Sequence, residues 1–492
     1  MVSAVILSGT MRQRGISRRT VMKSVGALGV VGAKSQGTDK SLKRPSRKGI
    51  TSTKPADYAE QIARRVNDTL LVDSHEHLPD ESARLSGSYA KHRKIADDWS
   101  LILSHYLDDD FISAGMSKEA YDAFYASDLD PLAKWRLIES FWPAVKNTGY
   151  GQAVMIALRD LYSISTLSAK TVERVAVSYR ESLKPGLYRR VLCELAGLDS
   201  CQVNAGSFHE SDMPDLLLQD ISIVGMHMGP DLDAYGNQTE VKDLADWHSV
   251  IDRWFEKYGP YAVAVKSQAA YSRGLDYEDV PAERAAPVFK RLLSKEPVSA
   301  EEQKLVQDHL FWYAIMKARD FNLPVKLHTG YYAGNNGMPL NRVAGNPGAV
   351  SEIVRRAPDT TFVLMHISWP YYEDLIALAK HYTNVTLDMC WAWILNPATS
   401  TEFLEHYLMT APVNKILTFG GDYSTVEPVL GHAAMCRHGI TRALINLVDE
   451  GWLTTDSALE LVEPIMCGNG RQIFRLEEKK AACRKAPWLA KR

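Results

Sequence analysis

Two histidines, His75 and His77, stand two residues apart after the apolar run Leu70, Leu71 and Val72. In an extended chain, residues i and i+2 face the same way, so both imidazoles can project from one strand end toward one point. Neutral imidazole is the commonest metal ligand among side chains. The same spacing also describes two surface histidines in a turn, so the pair alone decides nothing. Four further residues add weight: Lys266, His328, His366 and Asp422 each close an apolar run of strand character. Each has an ordinary reading alone. His328 could be a core histidine bonded to a carbonyl, Lys266 an ion-pair partner, and Asp422, after Gly420 and Gly421, a helix N-cap. The chain has 14 histidines, and finding four of them at three strand ends is hard to attribute to chance. Gathered on one rim, these side chains form a nitrogen and oxygen ligand set. Such a set suits zinc, manganese or iron better than calcium, which takes oxygen alone.

Strand-like runs recur at intervals, and they are what must position such a rim. After the run at 70–72 come 201–204, 221–226, 261–266, 324–328, 361–366, 384–389 and 415–422. Helical periodicity fills the gaps at 243–257, 300–322, 348–357, 371–381 and 400–410. Strand and helix in alternation predict a parallel sheet. Eight strands predict an α/β fold closed into a (β/α)8 TIM barrel, with its chemistry at the C-terminal strand ends. Between the first two strands, residues 79–198 read as a helical insertion, with the best pieces at 95–116, 117–125, 131–142 and 153–161. Pro131 suits the first position of a helix. The insertion follows the strand that ends in His75 and His77, so it is expected to cover them, to shape substrate access and to build a dimer contact. Extra helices over 433–474 should pack outside the barrel.

Composition sets the bounds. The chain has 492 residues, 46% hydrophobic and 24% charged, which is ordinary for a globular protein with ample core. A formal net charge of −2 argues against nucleic acid or an anionic membrane as the main partner. The six cysteines form no C-x-x-C pair, so no zinc ribbon or thioredoxin motif is visible. At the N-terminus, Arg18 and Arg19 precede an apolar, small-residue run from Val25 to Ala33. That order describes a secretory signal, and the paired arginines point to twin-arginine export, hence a periplasmic protein. Met1 and Met11 are both candidate starts. The apolar run is too short to span a bilayer. Residues 1–54 are therefore read as signal and linker, 55–476 as the barrel, and 477–492 as a basic tail that frays.

The order His-x-His, Lys, His, His, Asp on strands one, four, five, six and eight resembles the amidohydrolase superfamily. The segments around Val265–Leu275, Val325–Gly330 and Met365–Tyr371 look like amidohydrolase-related domains, which occur alone or fused to glutamine-synthetase-like domains. Gly468–Phe474 resembles the start of the family's C-terminal helix. The size and the large insertion are also similar to uronate isomerases, which share the barrel.

The resemblance implies a metal-dependent hydrolase in which metal-activated water attacks a C–N or C–O bond of a small, carboxylate-bearing substrate. A sugar-acid isomerase or a decarboxylase on the same barrel is the alternative, and a non-catalytic binding barrel a more distant one. One or two divalent ions are implied, Zn2+ first, then Mn2+ or Fe2+. His75, His77 and Asp422 would bind the first. His328 would be a further ligand, and His366 either a second-metal ligand or an acid/base. Lys266 would bridge two metals when carboxylated, or meet a substrate carboxylate when not. A bound cation lowers the pKa of its water from about 16 toward 7, and Asp422 would accept that proton. Pocket walls are expected from Tyr271, Arg273, Tyr331, Tyr332, Trp369, Tyr371, Trp391 and Trp393. Arg273 is the candidate for a substrate carboxylate, against a structural salt bridge. The implied partner is a small molecule, and a homo-oligomer is compatible with the insertion.

Overall fold

The structure is a computed structural model, and it describes residues 55–126, 129–235, 240–335 and 337–491. They belong to the unit spanning Thr53–Arg492. The expected export signal, the candidate starts and the linker lie outside the described residues.

Eight parallel strands follow one another in chain order. They are β1 (Leu71–Glu76), β2 (Leu198–Val203), β3 (Leu217–Ser222), β4 (Ala264–Ser267), β5 (Val325–His328), β6 (Phe362–Met365), β7 (Val385–Asp388) and β8 (Ile416–Leu417). Closure comes from backbone bonds between β1 and the segment after β8. Ser74 N donates to Phe419 O at 3.0 Å, Asp422 N to His75 O at 2.9 Å, and His77 N to Tyr423 O at 2.9 Å. The strands are buried on both faces, which is why they read as apolar runs rather than as alternations. Their outward side chains meet the surrounding helices. Inside, Val72, Leu218, Ala264, Val363 and Leu417 form a separate apolar cluster with Phe474. The polar residues lie toward the strand ends.

Two expectations about the strands need correction. The third strand is at Leu217–Ser222, not 221–226, and Val224–His227 is a short helix. Gln219 and Asp220 interrupt the apolar run there, yet both are buried, and Asp220 is paired inside the barrel. The eighth strand pairs over only Ile416–Leu417. Beyond it the chain carries the close-packed Gly420 and Gly421. A Cβ on Gly421 would sit 1.9 Å from Glu76 Oε1, and one on Gly420 would sit 2.6 Å from Ser74 Oγ. Glycine lets the backbone pass over β1 at this distance.

The insertion is helical throughout, but the long helix expected over 95–116 is not one element. It is a 3-10 turn at Trp99–Leu103, capped by Asp98, and a helix at Leu107–Ser113. His105, with φ 87°, breaks the two apart. C-terminal helices at Val426–Asp449, Thr455–Glu463 and Asn469–Ile473 pack outside the strands.

The tail expected to fray begins instead with the helix Leu476–Cys483. Its positive charges are used in place. Lys479 Nζ donates to Gly259 O at 3.0 Å, Lys480 pairs with Asp199 at 2.9 Å, and Trp488 Nε1 donates to Ser211 O at 3.1 Å. No helix among the described residues is long and apolar enough to cross a membrane.

Candidate metal centre

The ends of β1 and β8 bring His75, His77 and Asp422 together. His75 Nε2 lies 3.3 Å and His77 Nε2 3.2 Å from the same oxygen, Asp422 Oδ1. Candidate ligand atoms of the three residues all lie within 4.8 Å of one another. Asp422 has φ 61°, a left-handed conformation that Asp tolerates better than most residues, and its backbone bond to His75 O holds it there. The ring tautomer of His77 follows from its neighbour. Its Nδ1 is 2.9 Å from Asn204 O, and a carbonyl only accepts, so Nδ1 carries the proton and Nε2 keeps a lone pair. On the far side of His75, Nδ1 is 3.8 Å from Asp220 Oδ2.

His366 and His328 complete the wall. His366 Nδ1 donates to Cys390 O at 3.1 Å and lies 3.9 Å from Asp422 Oδ2. His328 is 4.3 Å from His366, centroid to centroid, but its Nε2 donates to Tyr331 O at 2.8 Å. The structure therefore places His328 in the same cavity and outside the three-residue cluster. A second group of ligand atoms, from His366, Cys390 and Asp422, also falls within 4.8 Å. Burial, with Asp422 and Asp388 nearby, pushes the Cys390 thiol well above its usual range. A protonated thiol is a poor ligand.

The electrostatics disfavour protonation of three imidazoles, those of His75, His328 and His366. Burial, with Lys266 adding to it, holds His75 well below the ordinary imidazole range. Burial likewise lowers His328 far below that range and His366 to about 4. Burial alone would raise Asp422, but the His75, His77 and His366 rings outweigh it and keep the carboxyl well below the usual carboxylate range. The result is a buried carboxylate held on its ionised side within a cluster of imidazoles.

The cavity has a volume of about 270 Å³ and is lined by His75, His77, Lys266, His328, His366 and Asp422 from the barrel. Tyr271 lines it too, its ring 4.5 Å from His328 and its hydroxyl accepting from Ala333 N at 3.0 Å. Tyr331 and Trp369 meet edge to face at 5.4 Å, and neither lines the cavity. Trp391 and Trp393 are buried beneath the rim. Arg273 is not a substrate contact in this structure. Its fork is used up by Asp308 Oδ1 at 2.6 Å and Gln307 Oε1 at 3.0 Å, and its guanidinium lies over Tyr277 at 4.2 Å. The salt-bridge alternative describes it.

Four lining residues were not foreseen: His105, Tyr106, Gln268 and Ala333. His105 and Tyr106 come from the insertion, which thus reaches over the strand ends as expected. Tyr106 is stacked 4.7 Å from Trp391, and the His105 ring is 5.6 Å from His77. Helical periodicity carries no signal for them, because a break at His105 is what turns them inward. Gln268 follows Lys266 by two, and the period-two rule could have found it.

Residues 297–476 match the family model described as amidohydrolase. Over 231 residues, 45% of this chain, the sequence is 27% identical to protein fluG of Emericella nidulans, and the match covers 26% of that protein. The chain thus spans about a quarter of the curated relative it matches. Among solved structures, a glucuronate isomerase from Caulobacter crescentus is 16% identical with a TM-score of 0.69, over 87% of this chain and 96% of that one. A uronate isomerase from Thermotoga maritima is 14% identical with a TM-score of 0.66, over 85% and 97%. A protein described as a metal-dependent hydrolase from Lactobacillus casei is 16% identical with a TM-score of 0.59, over 85% and 98%. At these identities the likeness is one of fold. The family match spans β5 to β8, the half of the barrel that supplies His328, His366 and Asp422, so the chain carries an amidohydrolase-family segment within an eight-stranded parallel barrel.

Proposed function

We propose that this chain is a metal-dependent hydrolase whose cation is held by His75, His77 and Asp422. The observation that carries this reading is the convergence of two ring nitrogens on one carboxylate oxygen, at 3.3 and 3.2 Å. Two ligands at about 2.1 Å from one tetrahedral ion stand about 3.4 Å apart, so the spacing fits a shared zinc-sized ion. The donor set of imidazoles and one carboxylate suits Zn2+, with Mn2+ or Fe2+ as alternatives.

A divalent cation there would supply Lewis acidity and a water ligand acidic enough to ionise near neutral pH. The rest falls to the protein. Asp422 Oδ2, the oxygen turned toward His366, can take a proton from attacking water and return it to the leaving group. His366, with its Nδ1 proton committed to Cys390 O, presents Nε2 as a proton acceptor. Lys266 offers a buried ammonium to a substrate carboxylate, in place of the occupied Arg273. Tyr271 and Tyr106 close the sides and restrict water.

Sugar-acid isomerisation is the second reading, favoured by the two uronate isomerases that share the fold over most of their length. The test is metal per chain together with turnover of N-acyl amino acids, lactones and uronates. His75→Ala with His77→Ala should abolish metal binding. Asp422→Asn should reduce turnover by at least about a hundredfold, even in preparations that retain metal. Full metal occupancy in the double alanine variant would overturn the cluster assignment. Conversion of a uronate without net hydrolysis would replace hydrolase by isomerase.

A further inference from the structure

His366 lines the metal cavity, although its place on β6 should turn it away. Successive residues of a strand face opposite sides. Val363 belongs to the apolar cluster inside the barrel. Met365 faces inward as well, since its Sδ meets Lys266 Nζ at 2.6 Å beside the cavity. On a continued strand the next residue, His366, would face the surrounding helices.

The chain reverses that parity with a left-handed turn. His366, Ile367 and Ser368 have φ of 63°, 47° and 51°, and all three are buried. None is glycine. A left-handed backbone crowds the Cβ of an L residue against its carbonyl oxygen, and a β-branched residue such as Ile367 seldom adopts it. Such residues in succession persist only where their surroundings hold them. The turn itself makes two backbone bonds, Trp369 N to His366 O at 3.0 Å and Tyr371 N to Ser368 O at 2.7 Å. The Ser368 hydroxyl adds nothing, being buried without a hydrogen-bond partner among the described residues.

The hold comes from the end of β5. Thr329 is fully buried, and its Oγ1 donates to Met365 O at 2.6 Å, which fixes the peptide entering the turn. Gly330 packs against the exit. A Cβ there would stand 2.6 Å from both Ser368 C and Trp369 N, and its φ of 76° is one that glycine adopts freely. So held, the His366 ring donates from Nδ1 to Cys390 O at 3.1 Å and keeps Nε2 without a proton.

We propose that Thr329 and Gly330 are positioning residues for His366, holding the left-handed turn that carries its imidazole from the outer face of β6 into the metal cavity. The pair follows His328 directly, so one short segment supplies a wall of the cavity and orients the histidine of the neighbouring strand. The inference rests on the reading of His366 as a group facing the reacting centre, but the state of its ring can be measured without a substrate.

The measurement is ring-nitrogen NMR of the full chain labelled with 15N-histidine, the His366 signal being identified by its loss in His366→Gln. Wild type should show a single tautomer protonated at Nδ1. Thr329→Val keeps the shape and removes the hydroxyl, and it should turn that signal into a mixture of tautomers. Thr329→Ala takes its place if valine is not tolerated. Thr329→Ser keeps the hydroxyl and should keep the single tautomer. Ser368→Gly added to Thr329→Val should restore the signal in part, because glycine takes the left-handed conformation without the hold. On a substrate that is turned over, Thr329→Val should lower kcat at least about tenfold with KM within about twofold, and Thr329→Ser should stay within about threefold of wild type. An unchanged His366 signal in Thr329→Val, whatever its stability, would overturn the proposal. So would a signal lost alike in the valine and serine variants, or one that Ser368→Gly does not restore at all. A disturbed signal with undiminished turnover would instead sink His366 as a proton acceptor and leave the positioning role standing.

Discussion

Lys266 on β4 and Lys326 on β5 are partners in register, both buried, and they stand in opposite circumstances. Lys326 is fully enclosed by the barrel. Its Nζ donates to both Asp220 oxygens, at 3.0 and 2.8 Å, and to Ser74 O at 2.7 Å, and it lies 4.9 Å from the Phe474 ring. Lys266 faces the metal cavity, has no carboxylate within ion-pair distance among the described residues, and meets Met365 Sδ at 2.6 Å. Burial pulls its ammonium down to about 8. A buried charge that the protein pairs for itself is part of the framework, whereas one left unpaired beside a cavity is available to a ligand.

That contrast can be broken by substitution. Lys326→Met strands the Asp220 carboxylate and should cost about 3–5 kcal/mol in denaturant unfolding. Adding Asp220→Asn should recover part of the loss, because the two residues act as one unit. A Lys326→Met protein as stable as wild type would end the framework reading. Arg273→Met should come next, at about 1–3 kcal/mol, since Asp308 loses one strong partner but keeps Lys304 Nζ at 2.6 Å and Glu278 N at 3.1 Å. Its KM should not move, and a rise of tenfold would return Arg273 to the substrate. Lys266→Met should change stability least, by under about 1 kcal/mol or in the stabilising direction, because it removes an unpaired buried charge. Turnover should nevertheless fall at least tenfold. Unchanged turnover would show that the unpaired state of Lys266 serves no ligand.

Much of this arrangement was legible in the sequence. Apolar runs located β5, β6 and β7 and the start of β1 within a residue or two, because strands buried on both faces leave that trace. The residues that end them supplied His75, His77, His328 and His366, and Asp422 came from the run that contains β8. The third strand slipped because its charged residue, Asp220, points inward and reads as a break. Lys326 stands two before His328, so it must face inward as well, and its ammonium is paired there with Asp220. Arg273 was ambiguous for a different reason. A guanidinium finds a carboxylate equally well in a ligand or in a neighbouring helix, and only the position of Asp308 decides between them. His105 left no trace, because its place in the cavity depends on a left-handed backbone turn between two helical pieces.

The seam between β1 and the segment after β8 has a consequence in time. Tyr423 N donates to the Glu76 carboxylate across 347 residues of chain. A ribosome releases His75 and His77 early and Asp422 near the end, so the two halves of the cluster wait through most of synthesis before they can meet. Contacts this distant in sequence form late, after the intervening units have condensed. Until then two histidines on an unpaired strand hold an ion too weakly to retain it. On the proposed assignment, metal retained by the chain would certify a finished molecule, and a protein interrupted anywhere before Asp422 would carry His75 and His77 without the carboxylate that completes the cluster.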